Sequence, residues 1–360
     1  MPQITKEDVL DQLRTVNDPE LHKDLVTLNM IKNVAICDGL VKVHVELTTP
    51  ACPLKDTIKN DVTEAVKRLE GVREVELEWS AQVRANKQTQ SKLPGVKNVI
   101  AVGAGKGGVG KSTIAVLLAV GLQREGASVG LMDADVYGPS IPKMLGIEDG
   151  KPYVKGEHIL PIVQHDLKVM SMGFMVEKDK AIIWRGPMVH GVIKQFLDQV
   201  DWGELDYLIV DLPPGTGDVP LTLSQSIPMT GSVVVCTPQD VALLDAKRAV
   251  AMYQQLNVPC IGIIENMSYY LCPQCGHRDE IFDHGGAKRA AEDLKVPFLG
   301  SIPLNVRIRI NGDAGTPEDN FIEKDDLIQQ AILDVVRNTA GRVSVMNMLQ
   351  VSQPTLTIEK

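Results

Sequence analysis

The spacing of apolar residues changes character near residue 98. Before it, Val9, Leu10, Leu13 and Val16 recur at helical intervals behind Thr5 and Asp8, a capping-box pair, and Asn17-Asp18-Pro19 stops the helix. Residues 30–36 and 40–47 flank Asp38-Gly39, a hairpin turn signal. Within the second run Val41, Val43, Val45 and Leu47 alternate with Lys42, His44 and Glu46, so one face is buried. A second helix has Pro53 near its first turn, Ile58, Val62, Ala65, Val66 and Leu69 on one side, and Gly71 past its end. Val75, Leu77 and Trp79 then alternate with glutamates as a third strand. The order α-β-β-α-β predicts a small α+β domain over residues 1–80.

Residues 81–97 lose periodicity and gain Gln, Lys, Asn and Pro, which marks a solvated linker. From 98 to 342, short runs that are apolar throughout (99–102, 128–132, 208–210, 232–236, 260–264 and 297–302) alternate with helical stretches. That pattern predicts an α/β domain whose mostly parallel sheet is covered by helices on both faces. Residues 343–360 read as a frayed tail or a short partner-binding strand.

The chain has 360 residues, 44% hydrophobic and 23% charged, with a net charge of −9. This is the composition of a globular protein, and its overall field repels polyanions, which excludes nucleic acid as an expected partner. No apolar run approaches the roughly 20 residues that cross a bilayer, and the N-terminus lacks the layout of a signal peptide. No membrane association is expected, and the reading is cytoplasmic. The six cysteines are scattered rather than arranged as a disulfide framework, so reduced thiols are expected.

The strand at 99–102 leads into Gly105-x-x-x-x-Gly110-Lys111-Ser112, and a helix follows. This is a phosphate-binding P-loop in its required setting: consecutive amides of Gly105, Gly107, Gly108, Val109 and Gly110 and the helix N-terminus face the phosphates of ATP. Lys111 neutralises β- and γ-phosphate oxygens, Ser112 binds Mg²⁺ and Thr113 touches the α-phosphate.

A second lysine, Lys106, stands directly after Gly105. With it the loop resembles the deviant P-loop group of MinD, ParA, arsenite-pump ATPases and the nitrogenase iron protein. The resemblance implies that Lys106 reaches the nucleotide of a partner, and hence a homodimer. Asp133 and Asp135 stand at the end of the second strand, where an α/β sheet presents its chemistry. By analogy with that group Asp135 orients the catalytic water and Asp133 supports the metal. Asp211 closes an apolar strand as a Walker B aspartate, and Gly215 in Pro213-Pro214-Gly215 fits a switch that senses the γ-phosphate. Asn266, after another strand, is the implied contact to the adenine.

Cys272-Pro273-Gln274-Cys275 brings two thiolates to one point. Two ligands do not complete a site. Two pairs on a dimer axis would hold a 4Fe–4S cluster or zinc, His277 and His284 would finish a zinc site within one chain, and a redox-inert turn or a zinc knuckle needs neither. Spacing alone favours zinc or no metal over a cluster.

The set GKGGVGKST, DADVYGPS, WRGPM (184–188), DLPPGTGD, ENMS and CPQCG resembles the Mrp/ApbC family of iron–sulfur cluster carrier ATPases over roughly residues 95–340. The resemblance reverses the metal order. It implies an ATP hydrolase that holds a labile 4Fe–4S cluster at Cys272 and Cys275 between two subunits, takes it from cluster scaffold proteins and delivers it to apo-proteins. Asp18-Pro19-Glu20 and residues 48–53 resemble the small metal–sulfur cluster assembly domain often fused to such carriers. Cys52, at a strand-to-helix junction where a helix N-terminus would favour a thiolate, is an accessory candidate for cluster handling or docking. Two rival readings are a ParA- or MinD-like positioning ATPase, which would need a basic patch or an amphipathic basic C-terminal helix, and a structural-zinc ATPase acting as a metallochaperone.

Overall fold

A computed structural model describes residues 4–175, 186–272, 274–323 and 326–351. Trp184 and Arg185 of the WRGPM stretch, Pro273 between the paired cysteines, and the tail beyond 351 lie outside the described residues. The chain divides into two compact units, Met1–Arg84 with Ala340–Lys360, and Ala85–Thr339.

In the first unit, helix α1 (Lys6–Leu13) starts at the Thr5 cap, whose side chain accepts the Asp8 amide while Asp8 accepts the Thr5 amide. Two short strands, β1 (Asn17–Asp18) and β2 (Lys23–Asp24), form a ladder of their own. The strands β3 (Ile31–Cys37) and β4 (Leu40–Leu47) are an antiparallel hairpin in which Cys37 pairs with Leu40. Asp38 and Gly39 both have positive φ (46° and 83°), as this two-residue turn requires. Helix α2 (Lys55–Lys67) crosses to β5 (Glu74–Ala81), which lies parallel to β4. The alternation of β4 turns Val41, Val43 and Val45 into the core with Val9, Leu13, Ile58 and Val62, each such burial contributing about 1.5–3 kcal/mol.

The second unit opens with α3 (Lys87–Lys92), where the sequence predicts only linker; Asn86 caps it by accepting the Gln88 and Thr89 amides. Then come β6 (Val96–Gly103), α4 (Lys111–Arg124), β7 (Val129–Asp133), α5 (Ile141–Met144), β8 (Tyr153–Lys155), β9 (His158–Leu160), β10 (Ile162–Gln164) and β11 (Leu167–Ser171). The rest is α6 (Gly186–Asp198), β12 (Leu205–Asp211), α7 (Asp218–Ser226), β13 (Gly231–Cys236), α8 (Asp240–Gln255), β14 (Cys260–Leu271), β15 (Arg278–Asp279), α9 (Gly286–Leu294), β16 (Phe298–Leu304), α10 (Val306–Ala314) and α11 (Leu327–Val351).

The main sheet runs β10-β11-β7-β12-β6-β13-β14-β15, with β16 also on β14. Its centre is parallel, and antiparallel pairs occur at β10–β11 and β14–β15. Because β7 and β13 are buried at every position, both faces of the sheet are covered. From β6 the chain passes through α4 to β7 on one side, and from β12 through α7 to β13 on the other. That change of direction leaves a crevice at the carboxyl ends of the central strands.

The C-terminal segment departs from the expected tail. Helix α11 continues to Val351, Val343 and Val345 on it are buried, and its residues from Ala340 onward belong to the first unit. Val343 and Val345 are the inward face of a helix at this point, while Leu349 further along it is exposed.

Candidate nucleotide site and cysteine turn

The crevice is built where β6 gives way to α4. A side chain at Gly105 would run into the backbone of Asp245, so the loop can pass only as glycine. Gly110 caps α4 in the left-handed conformation (φ 81°), turning the first amides of the helix toward the crevice. A cavity of about 570 Å³ opens there, within the range of nucleotide-sized sites. Lys106, Lys111, Ser112, Asp135 and Asn266 line it, together with Gly107, Gly108 and Thr113.

Lys111 is 6% exposed and its Nζ donates to Asp211 Oδ1 at 2.6 Å; it also lies 3.3 Å from Asp135 Oδ2 and 3.2 Å from Ser112 Oγ. Ser112 Oγ donates to Asp211 Oδ2 at 2.6 Å. Asp133 is fully buried and accepts the Asp135 amide (3.1 Å), the Ile141 amide (3.3 Å) and the Ser171 hydroxyl (2.9 Å). Burial, and next the charge of Asp211, push Asp133 up to about 8 despite those donors. Burial likewise raises Asp211 against the pull of Lys111. Two carboxylates, Asp211 and Asp135, thus share the one buried ammonium of Lys111, and this point of the site is short of positive charge. Ser112 Oγ with Asp211 and Asp135 is an oxygen set that fits Mg²⁺ held through water, next to phosphates on the loop.

Asn266 is 6% exposed and donates from Nδ2 to the Val109 carbonyl at 2.8 Å, so it braces the phosphate loop as well as lining the cavity. The Gly215 amide donates to the Ala104 carbonyl at 2.8 Å, with φ 96°. Sensing a γ-phosphate with that amide requires exchanging this bond. The far wall of the cavity, Pro303, Asn305 and Arg309 at the β16–α10 junction, is absent from the sequence reading. The strand-end rule that singles out Asp133 and Asp211 applies equally to the residues after β16.

Strand β14 carries Asn266 near its middle and stops at Leu271, beside Cys272. The turn after it is closed by the Cys272 amide donating to the His277 carbonyl and the Gly276 amide to the Cys272 carbonyl, both 2.9 Å. Cys272 is partly exposed and Cys275 exposed. The backbone amides of Gln274 and Cys275, and then the Cys275 side chain, hold the Cys272 thiol below its ordinary value. Cys272 also borders a second cavity, of about 730 Å³.

His284 points elsewhere than the single-chain zinc site requires: its ring contacts Ser268 and Arg278 and packs edge-on against Tyr269. Among the described residues no group of three or more His, Cys, Asp or Glu is placed to hold a metal ion. Cys52 corrects a second expectation. It is partly buried, and burial pushes its thiol up to about 11, the opposite of the thiolate that a helix N-terminus would favour. Helix α2 begins only at Lys55, with Leu54 as its cap. Among the described residues no helix is long and apolar enough to cross a membrane.

A family model described as a NUBPL iron-transfer P-loop NTPase matches residues 95–340, and one described as an iron-sulfur cluster assembly protein matches residues 6–77. The iron-sulfur cluster carrier protein of Synechocystis sp. is 48% identical over 349 residues, 95% of this chain and 99% of that one. The protein of the same name from Deinococcus radiodurans is 49% identical, over 96% of this chain and 97% of its own. Among solved structures, the nucleotide-binding protein from Archaeoglobus fulgidus in complex with ADP superposes with a TM-score of 0.59 at 39% identity, covering 67% of this chain and 96% of that one. The MinC:MinD cell division complex of Aquifex aeolicus matches with a TM-score of 0.51 at 20% identity, over 73% of this chain and 100% of that one, a likeness of fold alone.

Proposed function

The chain belongs to the iron–sulfur cluster carrier family of P-loop NTPases, and from that premise we propose that it binds and hydrolyses ATP with Mg²⁺ while carrying a labile 4Fe–4S cluster between two copies of itself. The cluster is cargo, received from scaffold proteins and delivered to apo-proteins, in the reducing setting of the cytoplasm that free thiols require.

One observation carries this reading: exposed Cys275 and partly exposed Cys272, whose thiol is held below its ordinary value, form a two-ligand turn directly after the strand that borders the nucleotide cavity. Two ligands per chain leave four for a pair of chains, enough for one cluster and few enough that an acceptor's cysteines displace them. At the loop, Lys111 and the α4 amides hold the phosphates, Ser112 and Asp211 hold the metal's water shell, and Asp135 accepts a hydrogen bond from the attacking water. Asp133 supports the metal side from below. Lys106, at the cavity edge, is the residue that reaches the nucleotide of the second copy, and Gly215 reports loss of the γ-phosphate. Asn266 contacts the adenine.

Anaerobic reconstitution with iron and sulfide tests the cargo. Wild type should take up both in a 1:1 ratio with about four irons per dimer, and Cys272→Ser/Cys275→Ser should take up neither; equal uptake by the two proteins refutes the assignment. Chain mass with a slowly hydrolysed ATP analogue tests the dimer, and a monomer indifferent to nucleotide refutes the role of Lys106.

A further inference from the structure

Between Asn266 and the cysteine turn, β14 is interrupted. Asn266 pairs with Ile302 on β16 and Tyr270 with Leu304, so β14 spends four residues where β16 spends two. Met267 inside this bulge has φ 54° and its side chain lines the nucleotide cavity. Bulges re-aim the strand beyond them, and here what lies beyond is Cys272.

The bulge is tied down by a chain of polar contacts with one consistent direction. Glu265, fully buried, accepts the Gly285 amide (3.1 Å) and the Ala287 amide (2.8 Å) at the start of α9, which fixes it as an acceptor. Ser268 Oγ donates to Glu265 Oε1 at 2.5 Å. His284 Nδ1 lies 2.9 Å from that hydroxyl, and since the Ser268 proton is committed to Glu265, Nδ1 must be the donor. Nε2 is then the acceptor, and Arg278 Nη2 sits 3.1 Å from it. Arg278 pairs with Leu271 across the base of the cysteine turn, and its guanidinium lies 4.0 Å over the Tyr269 ring. The run Arg278→His284→Ser268→Glu265 therefore joins the hairpin that carries the thiols to the buried carboxylate adjoining Asn266.

We propose that His284 is a positioning residue that couples the nucleotide cavity to the cysteine turn, by holding the β14–β15 hairpin to Glu265 so that a shift of Asn266 and Met267 on nucleotide binding changes the exposure of Cys272 and Cys275. This rests on the reading of that turn as the cargo site, yet it can be read out without a cluster. With His284 in place the bulge moves as one body with the hairpin. Without it, the three residues Met267, Ser268 and Tyr269 absorb the movement.

The test is peptide-resolved alkylation of Cys272 and Cys275 in the apo full-length protein, with and without a slowly hydrolysed ATP analogue. In wild type the nucleotide should change the alkylation rate about fivefold, a typical coupling between sites. In His284→Ala the rates with and without nucleotide should coincide while the affinity for the analogue stays within about twofold of wild type. His284→Asn, whose amide can replace the Nδ1 donor, should restore part of the response, and Arg278→Ala, a change at an exposed residue, should weaken it. The proposal is overturned if wild type shows no nucleotide effect, if His284→Ala keeps the full effect, or if His284→Ala loses nucleotide binding together with it, which marks a merely structural role. Failure of wild type to take up iron while the alkylation response persists would strike the cargo reading and leave the coupling standing.

Discussion

At the phosphate loop Lys111, Asp133, Asp135 and Asp211 are each less than 8% exposed, and the Lys111 ammonium lies within hydrogen-bonding range of both Asp211 and Asp135. At the cysteine turn, directly after the strand that braces the loop, Cys275 stands in solvent and Cys272 is only partly covered. The first site is built in advance and left short of positive charge, so a ligand bringing Mg²⁺ relieves it. On the proposed reading the second supplies only two of a cluster's four ligands, so another protein can finish it or empty it. Burial makes each ionic contact strong at the loop, and on the proposed reading exposure keeps ligation weak at the turn, where a cargo has to be exchanged.

The comparison breaks most visibly at Lys111. Lys111→Met should lower ATP hydrolysis by about 100-fold or more, as expected for removing a group aimed at developing phosphate charge. It should also destabilise the nucleotide-free protein by on the order of 3 kcal/mol, because Asp211 loses its buried partner. Phosphate release and chemical denaturation measure the two, and an active, fully stable variant would show that the loop is not the site.

A smaller effect concerns pH. The folded-state value of Asp133, about 8, lies above its ordinary 3.8. The folded protein therefore holds this proton more tightly than the unfolded chain, and the stability it contributes is present at low pH and lost as pH rises toward about 8. Relative to Asp133→Asn, wild type without nucleotide should lose on the order of 4 kcal/mol between about pH 5 and about pH 8. Saturating Mg-ATP should flatten that difference. A difference that grows with pH in the opposite sense would mean that the three donors to Asp133 outweigh its burial.

Asn266→Ala should weaken ATP binding by about five- to tenfold, since one buried hydrogen bond to Val109 is lost and the loop relaxes. Calorimetric titration reads it directly. The smallest effect belongs to the other region: Cys272→Ser/Cys275→Ser should leave thermal stability within about 0.5 kcal/mol of wild type, as for exposed positions generally. A large loss there would mean that the turn is a structural element and erase the contrast.

Much of this was legible along the chain, for identifiable reasons. The parallel strands β6, β7, β12, β13 and β16 announce themselves as apolar runs because both faces are covered, and the carboxylates and glycines at their ends mark where the chemistry lies. The hairpin at Asp38-Gly39 was equally plain, since few residues tolerate two positive φ values in succession. The short strands β8 to β10 were not, because Tyr153, Val154 and Val163 are exposed and three-residue strands carry no period. Helix α3 hid in a polar stretch whose helical state depends on the Asn86 cap and on Thr89 reaching the Pro228 carbonyl.

The sequence by itself determined the phosphate loop, its carboxylates and the pair of thiols, because each is a local arrangement: spacing along a turn, or a charge at the end of an apolar run. Only the tertiary structure decided how those groups feel one another. That Asp133 is raised by burial and then by Asp211, that Cys52 is smothered rather than activated, that residues 340–351 join the first unit, and that His284 serves Ser268 and Arg278 instead of the cysteines all depend on burial and on partners far apart in the chain. Dielectric environment and long-range contact have no signature in local spacing, and they set whether a residue that can do chemistry is placed to do it.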